Sequence, residues 1–184
     1  MIYGIYKNVR NAAWQCLVDN NITSLPVDLM KIANTAGIKV LKNSEASLLA
    51  GNESGICVYA GDTWYVVYDD EATSGRRRMI IAHELGHIFL GHERGRLEIS
   101  PTKAKRAEEE ADAFAARLLA PSCVLWGLDI HLAEEIETLC NISKAESKKR
   151  AERMKILYNR QKFLTDPLEQ KLFEQFRGFI GEKR

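Results

Sequence analysis

The sequence predicts a mostly helical α+β fold with a small antiparallel β-sheet packed beside a central helix. Three observations favour this class. Apolar residues recur at helical spacing along most of the chain, β-branched and aromatic residues concentrate around residues 56–68, and capping residues precede several helical segments. The 184 residues, 46% of them hydrophobic, are enough to bury a core without disulfides.

The first 70 residues are predicted to form two helices, a strand and a hairpin. Apolar spacing places a helix in the opening 20 residues. A short helix follows, with Pro26 at its first position and Gly37 as its stop, and the sequence IKVL after it suits a strand. The runs Ile56–Tyr59 and Trp64–Tyr68 flank the turn sequence AGDT, which predicts a β-hairpin.

Two longer helices are predicted in the centre of the chain. The first spans about residues 75–90 and ends before Gly91. The second spans about residues 103–119, a stretch rich in Ala, Glu, Arg and Leu, which are strong helix formers. Ser100 and Pro101 form a good cap and first-turn pair before it, and Pro121 ends it.

The remaining chain is predicted to be helical. We divide the protein into a domain of residues 1–122 and a C-terminal region of residues 123–184. Within that region, a short helix around Leu132–Cys140 and a second helix give residues 132–157 a layout like a helix-turn-helix. The second helix starts with a capping box of Ser143 and Glu146, and a final helix starts with Asp166 and Pro167.

The C-terminal part is basic, although the net charge of the chain is +1. Residues 144–184 hold 12 Lys and Arg against 6 Asp and Glu. Four basic residues of the second helix could contact DNA phosphates, dock a protein substrate or form a solvated face. They are Lys148, Lys149, Arg150 and Arg153. We favour the solvated face over DNA, because Glu146 and Glu152 interrupt the positive stripe, so nucleic acid is a possible but not a favoured partner.

Cysteine usage and hydropathy indicate a cytoplasmic protein without a membrane partner. The four cysteines are far apart and form no C-x-x-C pair, which is typical of buried small apolar residues in a reducing compartment. The N-terminus lacks the apolar stretch of a signal peptide, and no run reaches the length of a membrane span.

The stretch IIAHELGHIFLGH at residues 80–92 predicts a metal site. His83 and His87 are four residues apart on a helix, so both side chains emerge on one face and can bind one zinc ion. Glu84 lies about 100° round the helix, where it can reach a water on that ion as a general base. Gly86, between the two histidines, leaves space for a neighbouring backbone.

The third zinc ligand is expected on the next helix. Glu108 and Asp112 are four residues apart, so Glu108 could bind the metal while Asp112 accepts a hydrogen bond from a ligating histidine. Glu109 and Glu110 are expected to be solvated. His92 is one position early for a third histidine ligand, and we interpret it as a helix-end residue.

The segments RRRMIIAHELGHIFLGH and EEEADAFAARLLAP closely resemble the ImmA/IrrE family of metallo-endopeptidases, a gluzincin-like group. The resemblance covers roughly residues 22–156 and is strongest to the compact members associated with phages and integrative elements. It implies a minimal zincin-like fold, zinc bound by His83, His87 and Glu108, and Glu84 as the catalytic base. It also implies a helix-turn-helix transcriptional repressor as the substrate, cleaved to relieve repression. Asp112 stands where the family often has Asn.

The sequence thus predicts a zinc-dependent endopeptidase. The alternative is a non-proteolytic regulatory or DNA-binding protein that retains the zincin scaffold. The sequence offers four candidates for the residue that would stabilise the oxyanion of the reaction. They are Tyr65, Tyr68, His92 and His131.

Overall fold

A computed structural model describes residues 3–92 and 100–183 of the chain. Within these residues the predicted mostly helical α+β class is confirmed. The helices and strands, in chain order, are α1 (Tyr3–Asp19), α2 (Leu29–Thr35), β1 (Lys39–Lys42), α3 (Asn43–Ala46), β2 (Gly55–Ala60), β3 (Thr63–Tyr68), α4 (Ser74–Phe89), α5 (Pro101–Leu119), α6 (Ser122–Gly127), α7 (Ala133–Cys140), α8 (Lys144–Arg160), α9 (Pro167–Gln175) and α10 (Arg177–Lys183).

The sheet has three strands in the order β1-β3-β2, and it is mixed rather than wholly antiparallel. The predicted hairpin is confirmed as the antiparallel pair β2–β3, but β1 pairs with β3 in parallel. Lys42 at the end of β1 and Gly55 at the start of β2 both stand opposite Tyr68. The connection that contains α3 therefore only crosses one end of β3, and β1 and β2 flank β3 from opposite sides.

The second helix starts later than predicted. Pro26 lies before it, and α2 begins at Leu29 because Asp28 caps it by accepting a hydrogen bond from the Lys31 N–H at 2.9 Å. Gly37 stops the helix as predicted, with a positive φ of +68° that favours glycine.

Two short helices, α3 and α6, were not predicted, and the single final helix predicted from Asp166 is divided into α9 and α10. Helices α3 and α6 are four and six residues long, which is too short for an apolar repeat to be recognised. The longer helices and their caps agree with the sequence. The side chains of Ser100, Ser143 and Asp166 accept hydrogen bonds from the backbone N–H groups of Lys103, Glu146 and Leu168.

One cluster of buried apolar residues runs from the first helix to the last. It joins Trp14 of α1, Leu85 of α4 and Phe114 of α5 with Met154 of α8. Phe176, which lies between α9 and α10, belongs to the same cluster. The C-terminal helices therefore share their core with the helix pair α4–α5. The division after residue 122 stays a prediction.

The cysteines behave as the sequence predicts for buried apolar residues. All four are buried and free of disulfides. Burial raises the pKa of Cys16, Cys123 and Cys140 to about 12, so these thiols stay protonated and unreactive. Among the described residues, no helix combines the length and the apolar character that crossing a bilayer requires.

The four basic residues of α8 do not share one solvated face. Lys148, Lys149 and Arg153 are exposed, whereas Arg150 is only 8% exposed. The interpretation of Arg150 as part of a solvated surface is therefore wrong. The helix turns its side chain inward, toward a region bounded by α5 and α8.

The start of α4 is fixed against the turn between α7 and α8. Asn141 Nδ2 donates a hydrogen bond to Ser74 Oγ at 3.1 Å. A Cβ atom on Gly75 would lie 2.6 Å from the carbonyl carbon of Ile142 and 2.8 Å from the nitrogen of Ser143. Only glycine lets α4 begin this close to the C-terminal helices.

Gly75→Ala is therefore expected to lower the free energy of unfolding by about 1–3 kcal/mol, because the added methyl group overpacks a backbone contact. Gly51→Ala is the matched control, since a Cβ atom there meets nothing within 4 Å. Its expected effect is within about 0.5 kcal/mol. Urea unfolding of both variants measures the difference, and equal stabilities would contradict the close contact.

Candidate metal centre

Helix α4 buries an apolar face and carries three polar residues beside it. Ala82 and Leu85 are fully buried in the core. Glu84 and His87 are also buried, at 3% and 1% exposure, while His83 is half-buried. Burying a carboxylate and an imidazole costs free energy unless both are paired, so this part of α4 requires partners.

The partners of the two histidines come from α5, which approaches α4 closely at Gly86. A Cβ atom on Gly86 would lie 3.2 Å from Ala111 Cα and 3.2 Å from Phe114 Cδ1. The space predicted beside Gly86 is thus filled by the backbone of α5. This approach brings Glu108 and Asp112, one turn apart on α5, up to the two histidines.

Three side-chain ligand groups converge between the two helices. The Nε2 atoms of His83 and His87 are 3.0 Å apart. Glu108 Oε2 lies 3.0 Å from His83 Nε2, and Glu108 Oε1 lies 3.5 Å from His87 Nε2. These three residues form the group in the described chain whose donor atoms could hold one metal ion.

The spacing of these atoms fits a tetrahedral metal ion. Ligands at about 2.0–2.1 Å from zinc stand roughly 3.3 Å apart at the corners of a tetrahedron. The three observed separations, 3.0, 3.0 and 3.5 Å, bracket that value. Two imidazoles and a carboxylate also form a donor set that suits a divalent ion with an open fourth position.

Asp112 fixes the orientation of His83. Its Oδ1 lies 2.9 Å from His83 Nδ1. Burial opposes protonation of His83, but the hydrogen bond from Asp112 and the charges of Glu84, Asp112 and Glu108 raise its pKa overall. The hydrogen bond to His83 lowers the pKa of Asp112, which stays an acceptor. His83 therefore carries its proton on Nδ1, and Nε2 points toward Glu108 and His87.

His87 is oriented through His92, which sequence reasoning interpreted only as a helix-end residue. His92 Nδ1 lies 3.0 Å from His87 Nδ1, and His92 Nε2 lies 3.1 Å from Glu110 Oε2. Since the Glu110 carboxylate only accepts, His92 carries its proton on Nε2 and accepts at Nδ1 from His87. His87 Nε2 is then left with its lone pair toward the ligand cluster.

The expectation that Glu110 is solvated is therefore wrong. Glu110 also accepts a hydrogen bond from Arg106 Nε at 2.8 Å, and its side chain is only 18% exposed. Burial opposes its ionisation, but the hydrogen bonds from Arg106 and His92 lower the pKa of Glu110. The spacing of Arg106 and Glu110, four residues apart, was the sequence signal for this chain of contacts. Glu109 is exposed, as expected.

A cavity of about 430 Å³ opens beside this cluster, and His83, Glu84 and Glu108 line it. Gly55 of β2 forms part of its wall, where a Cβ atom would lie 3.2 Å from Glu84 Oε1. Glu84 is thus enclosed between α4 and the start of β2 and faces the same space as the metal-ligand group.

None of the four candidate oxyanion residues lines this cavity. Tyr68 borders a different cavity, and His131 stacks on Tyr158 with ring centroids 4.2 Å apart. His92 contacts the far nitrogen of His87, and Tyr65 lies beneath the Lys39 ammonium. Among the described residues that line this cavity, the cationic side chain is Arg76. The sequence did not predict it, because three consecutive arginines give no sign of which one faces a cleft.

Comparison with protein-family models decides the family. Residues 33–152 match the model of Peptidase_M78, described as the IrrE N-terminal-like domain. The chain belongs to this family. The match covers about two thirds of the chain, from α2 to the first half of α8, and includes both helices of the ligand cluster. This Peptidase_M78 chain is therefore of a metallopeptidase type, and its family implies a protein substrate. A search of curated proteins found no match.

The geometry predicts which glutamate of α5 matters for metal binding. Glu108→Ala is expected to lower zinc content sharply, because it removes one of three converging ligand groups. Glu109→Ala is the matched control on an exposed neighbour, and it should keep full zinc content. Metal analysis of the purified proteins measures both. Equal zinc in the two variants would remove Glu108 from the site.

His92→Ala is expected to weaken zinc binding by about 10- to 100-fold, because His87 loses the group that holds its tautomer and ring orientation. His131→Ala is the control, since His131 is exposed on another part of the surface and pairs with Asp129. Competition with a chelator of known affinity gives both constants. An unchanged constant for His92→Ala would show that this contact does not support the metal.

Proposed function

We propose that the chain is a zinc-dependent endopeptidase with His83, His87 and Glu108 as the zinc ligands. The observation that carries the proposal is the convergence of these three groups at tetrahedral spacing beside a buried glutamate. Two imidazoles and one carboxylate are a ligand set of catalytic zinc sites. When bound at such a site, zinc polarises a peptide carbonyl and lowers the pKa of water to about 7.

Glu84 is the general base in this proposal. Its carboxylate borders the cavity at the ligand cluster and is shielded from bulk water by α4 and β2. It takes a proton from the attacking water and then delivers that proton to the leaving amine nitrogen. Asp112 keeps His83 in the tautomer that leaves Nε2 free for the metal, and His92 with Glu110 does the same for His87.

The substrate backbone is proposed to lie along β2. Among the strands that the structure describes, β2 is the outer one on its side of the sheet, so one row of its N–H and C=O groups has no neighbouring strand there. An extended peptide can add to such an edge by main-chain hydrogen bonds. Ser54 and Gly55, at the start of β2, line the cavity with Glu84, so a peptide on this edge passes the reacting groups. Binding of an internal segment in this way is typical of an endopeptidase.

Arg76 is proposed to stabilise the negative charge that develops on the scissile carbonyl oxygen. It is exposed, lines the cavity, and lies on α4 two turns before His83. A fixed cation near that oxygen favours the transition state over the ground state.

The substrate is proposed to be a helix-turn-helix transcriptional repressor in the cytoplasm, whose cleavage relieves repression. Family membership supports a protein substrate, and the resemblance to ImmA/IrrE peptidases supports this class of repressor. The rival function is that of a regulatory or DNA-binding protein without proteolysis. The intact base and ligand set favour the enzyme. Incubation with the repressor encoded beside the gene tests the substrate directly.

Glu84→Gln separates metal binding from chemistry. The change keeps the size of the side chain but removes the base, so cleavage should fall by about 10²–10⁴-fold or more while zinc content stays the same. Glu45→Gln, on an exposed residue of α3, is the control and should cleave normally. Cleavage by Glu84→Gln at the normal rate would place the activity elsewhere.

Arg76→Gln tests the oxyanion role. Cleavage is expected to slow on the order of 10²-fold in kcat with little change in KM, because the lost interaction forms in the transition state. Arg77→Gln is the control, since Arg77 lines a cavity on another side of α4 and contacts the carbonyl of Asp70. A rise in KM alone would make Arg76 a binding residue and contradict this role.

A further inference from the structure

A second functional region lies between α5 and α8. Two cavities there, of about 800 and 350 Å³, share four lining residues, and all four are arginines. They are Arg117 of α5 and Arg150, Arg153 and Arg160 of α8. The charges of Arg117 and Arg153 both act on Arg150, and like charges repel one another unless an anion lies among them.

Arg150 is unusual because its charged side chain is buried and two of its nitrogens lack a hydrogen-bond partner among the described residues. It is 92% buried, since its exposed fraction is 8%, and the two nitrogens are Nε and Nη2. Burial, and the charges of Arg117 and Arg153, lower its pKa to about 10, so it still carries its charge at neutral pH. A buried, charged donor without an acceptor is costly and rare in folded proteins.

Five carboxylates among the described residues border the two cavities. Glu109 is exposed, burial raises the pKa of Glu169, and the other three each contact a basic side chain. Glu146 accepts from Lys149 at 2.8 Å, Asp112 contacts His83, and Asp166 accepts from Arg10 at 2.9 Å. Within the described residues, no salt bridge joins a carboxylate to Arg150, Arg153 or Arg160. Arg150, Arg153 and Arg160 therefore present positive charge to the cavities.

We propose that Arg117, Arg150, Arg153 and Arg160 bind the phosphate group of a small molecule. A phosphate monoester carries a charge of about −1.5 to −2 and three strong acceptor oxygens, which match several guanidinium forks. A carboxylate has only one charge and two oxygens. The larger cavity falls in the range of about 300–1,000 Å³ that small-molecule sites occupy.

The larger cavity also has a wall suited to the organic part of such a ligand. Ala113, Ala116 and Leu119 of α5 line it, together with Met79 and Ile142. Met79 and Asp112 also border the cavity of the metal centre, so the two cavities adjoin. Phosphate binding by the arginines does not depend on the proposed peptidase activity.

Thermal unfolding of the full-length, zinc-loaded protein tests the site. Inorganic phosphate is compared with chloride and with acetate at constant ionic strength. The unfolding midpoint should rise with phosphate concentration, because a ligand that binds only the folded state stabilises it. Acetate and chloride should have little effect. An equal rise with acetate would overturn the phosphate assignment in favour of a carboxylate, such as an acidic peptide side chain.

Two variants and one control locate the response. Arg153→Gln, on an exposed side chain, should weaken phosphate binding by about 10- to 100-fold through the loss of a charge-assisted hydrogen bond. Arg150→Met should abolish the response and, without phosphate, be at least as stable as the natural protein, because it removes a buried charge without a partner. Lys148→Gln is the control, since Lys148 is exposed on α8 but lines neither cavity.

Adenosine 5′-monophosphate and adenosine then identify the source of the phosphate group. A larger stabilisation by the monophosphate than by inorganic phosphate, with none by adenosine, assigns an organic phosphate, and the reverse order assigns the free ion. Both results support the site. The proposal is overturned if phosphate has no effect, or if it stabilises Arg150→Met, Arg153→Gln and Lys148→Gln equally, as phosphate bound at the zinc would do.

Discussion

The close packing of α4 against α5 is the constraint on which the candidate site depends. The two helices lie so close that a Cβ atom added to Gly86 would be 3.2 Å from Ala111 Cα. At that separation Glu108 reaches His83 and His87, which α4 presents on one face. A larger residue at position 86 would push α5 outward and part the carboxylate from the imidazoles. The apolar residues on either side, Leu85 and Phe114 among them, hold the helices at this distance by burial in the common core.

Helix α5 supplies orienting carboxylates to the cluster as well as the ligand Glu108. Asp112 contacts His83 directly, and Glu110 acts on His87 through His92. The outer ring nitrogen of His83 is held directly by a carboxylate of α5, and that of His87 is held by His92, which a second carboxylate of α5 orients. The inner nitrogens of the two histidines face each other. Because the same helix carries the ligand and both orienting carboxylates, a shift of α5 would change all three interactions together.

The opposite end of α5 leads to the arginine cluster. Arg117 lies nine residues, or about two and a half turns, beyond Glu108. Asp112 lies between them and borders both the cavity of the metal centre and the larger arginine-lined cavity. Asp112 is paired with His83, and Glu110 with His92 and Arg106, while Arg150 is buried without an acceptor on two of its nitrogens. Helix α5 therefore carries the acidic ligand Glu108 in its first half and the basic Arg117 of the proposed phosphate site near its C-terminal end.

The sequence by itself determined the features that depend on neighbours along the chain. The hairpin, the long helices, their capping residues and the pairing of His83 with His87 all follow from local spacing and short-range hydrogen bonds. The family also followed from contiguous motifs. Tertiary structure alone decided the parallel pairing of β1, the contacts of His92 with His87 and Glu110, and the burial of Arg150. These depend on how elements distant in sequence pack, and a basic residue on a helix carries no local signal of which side another helix will cover.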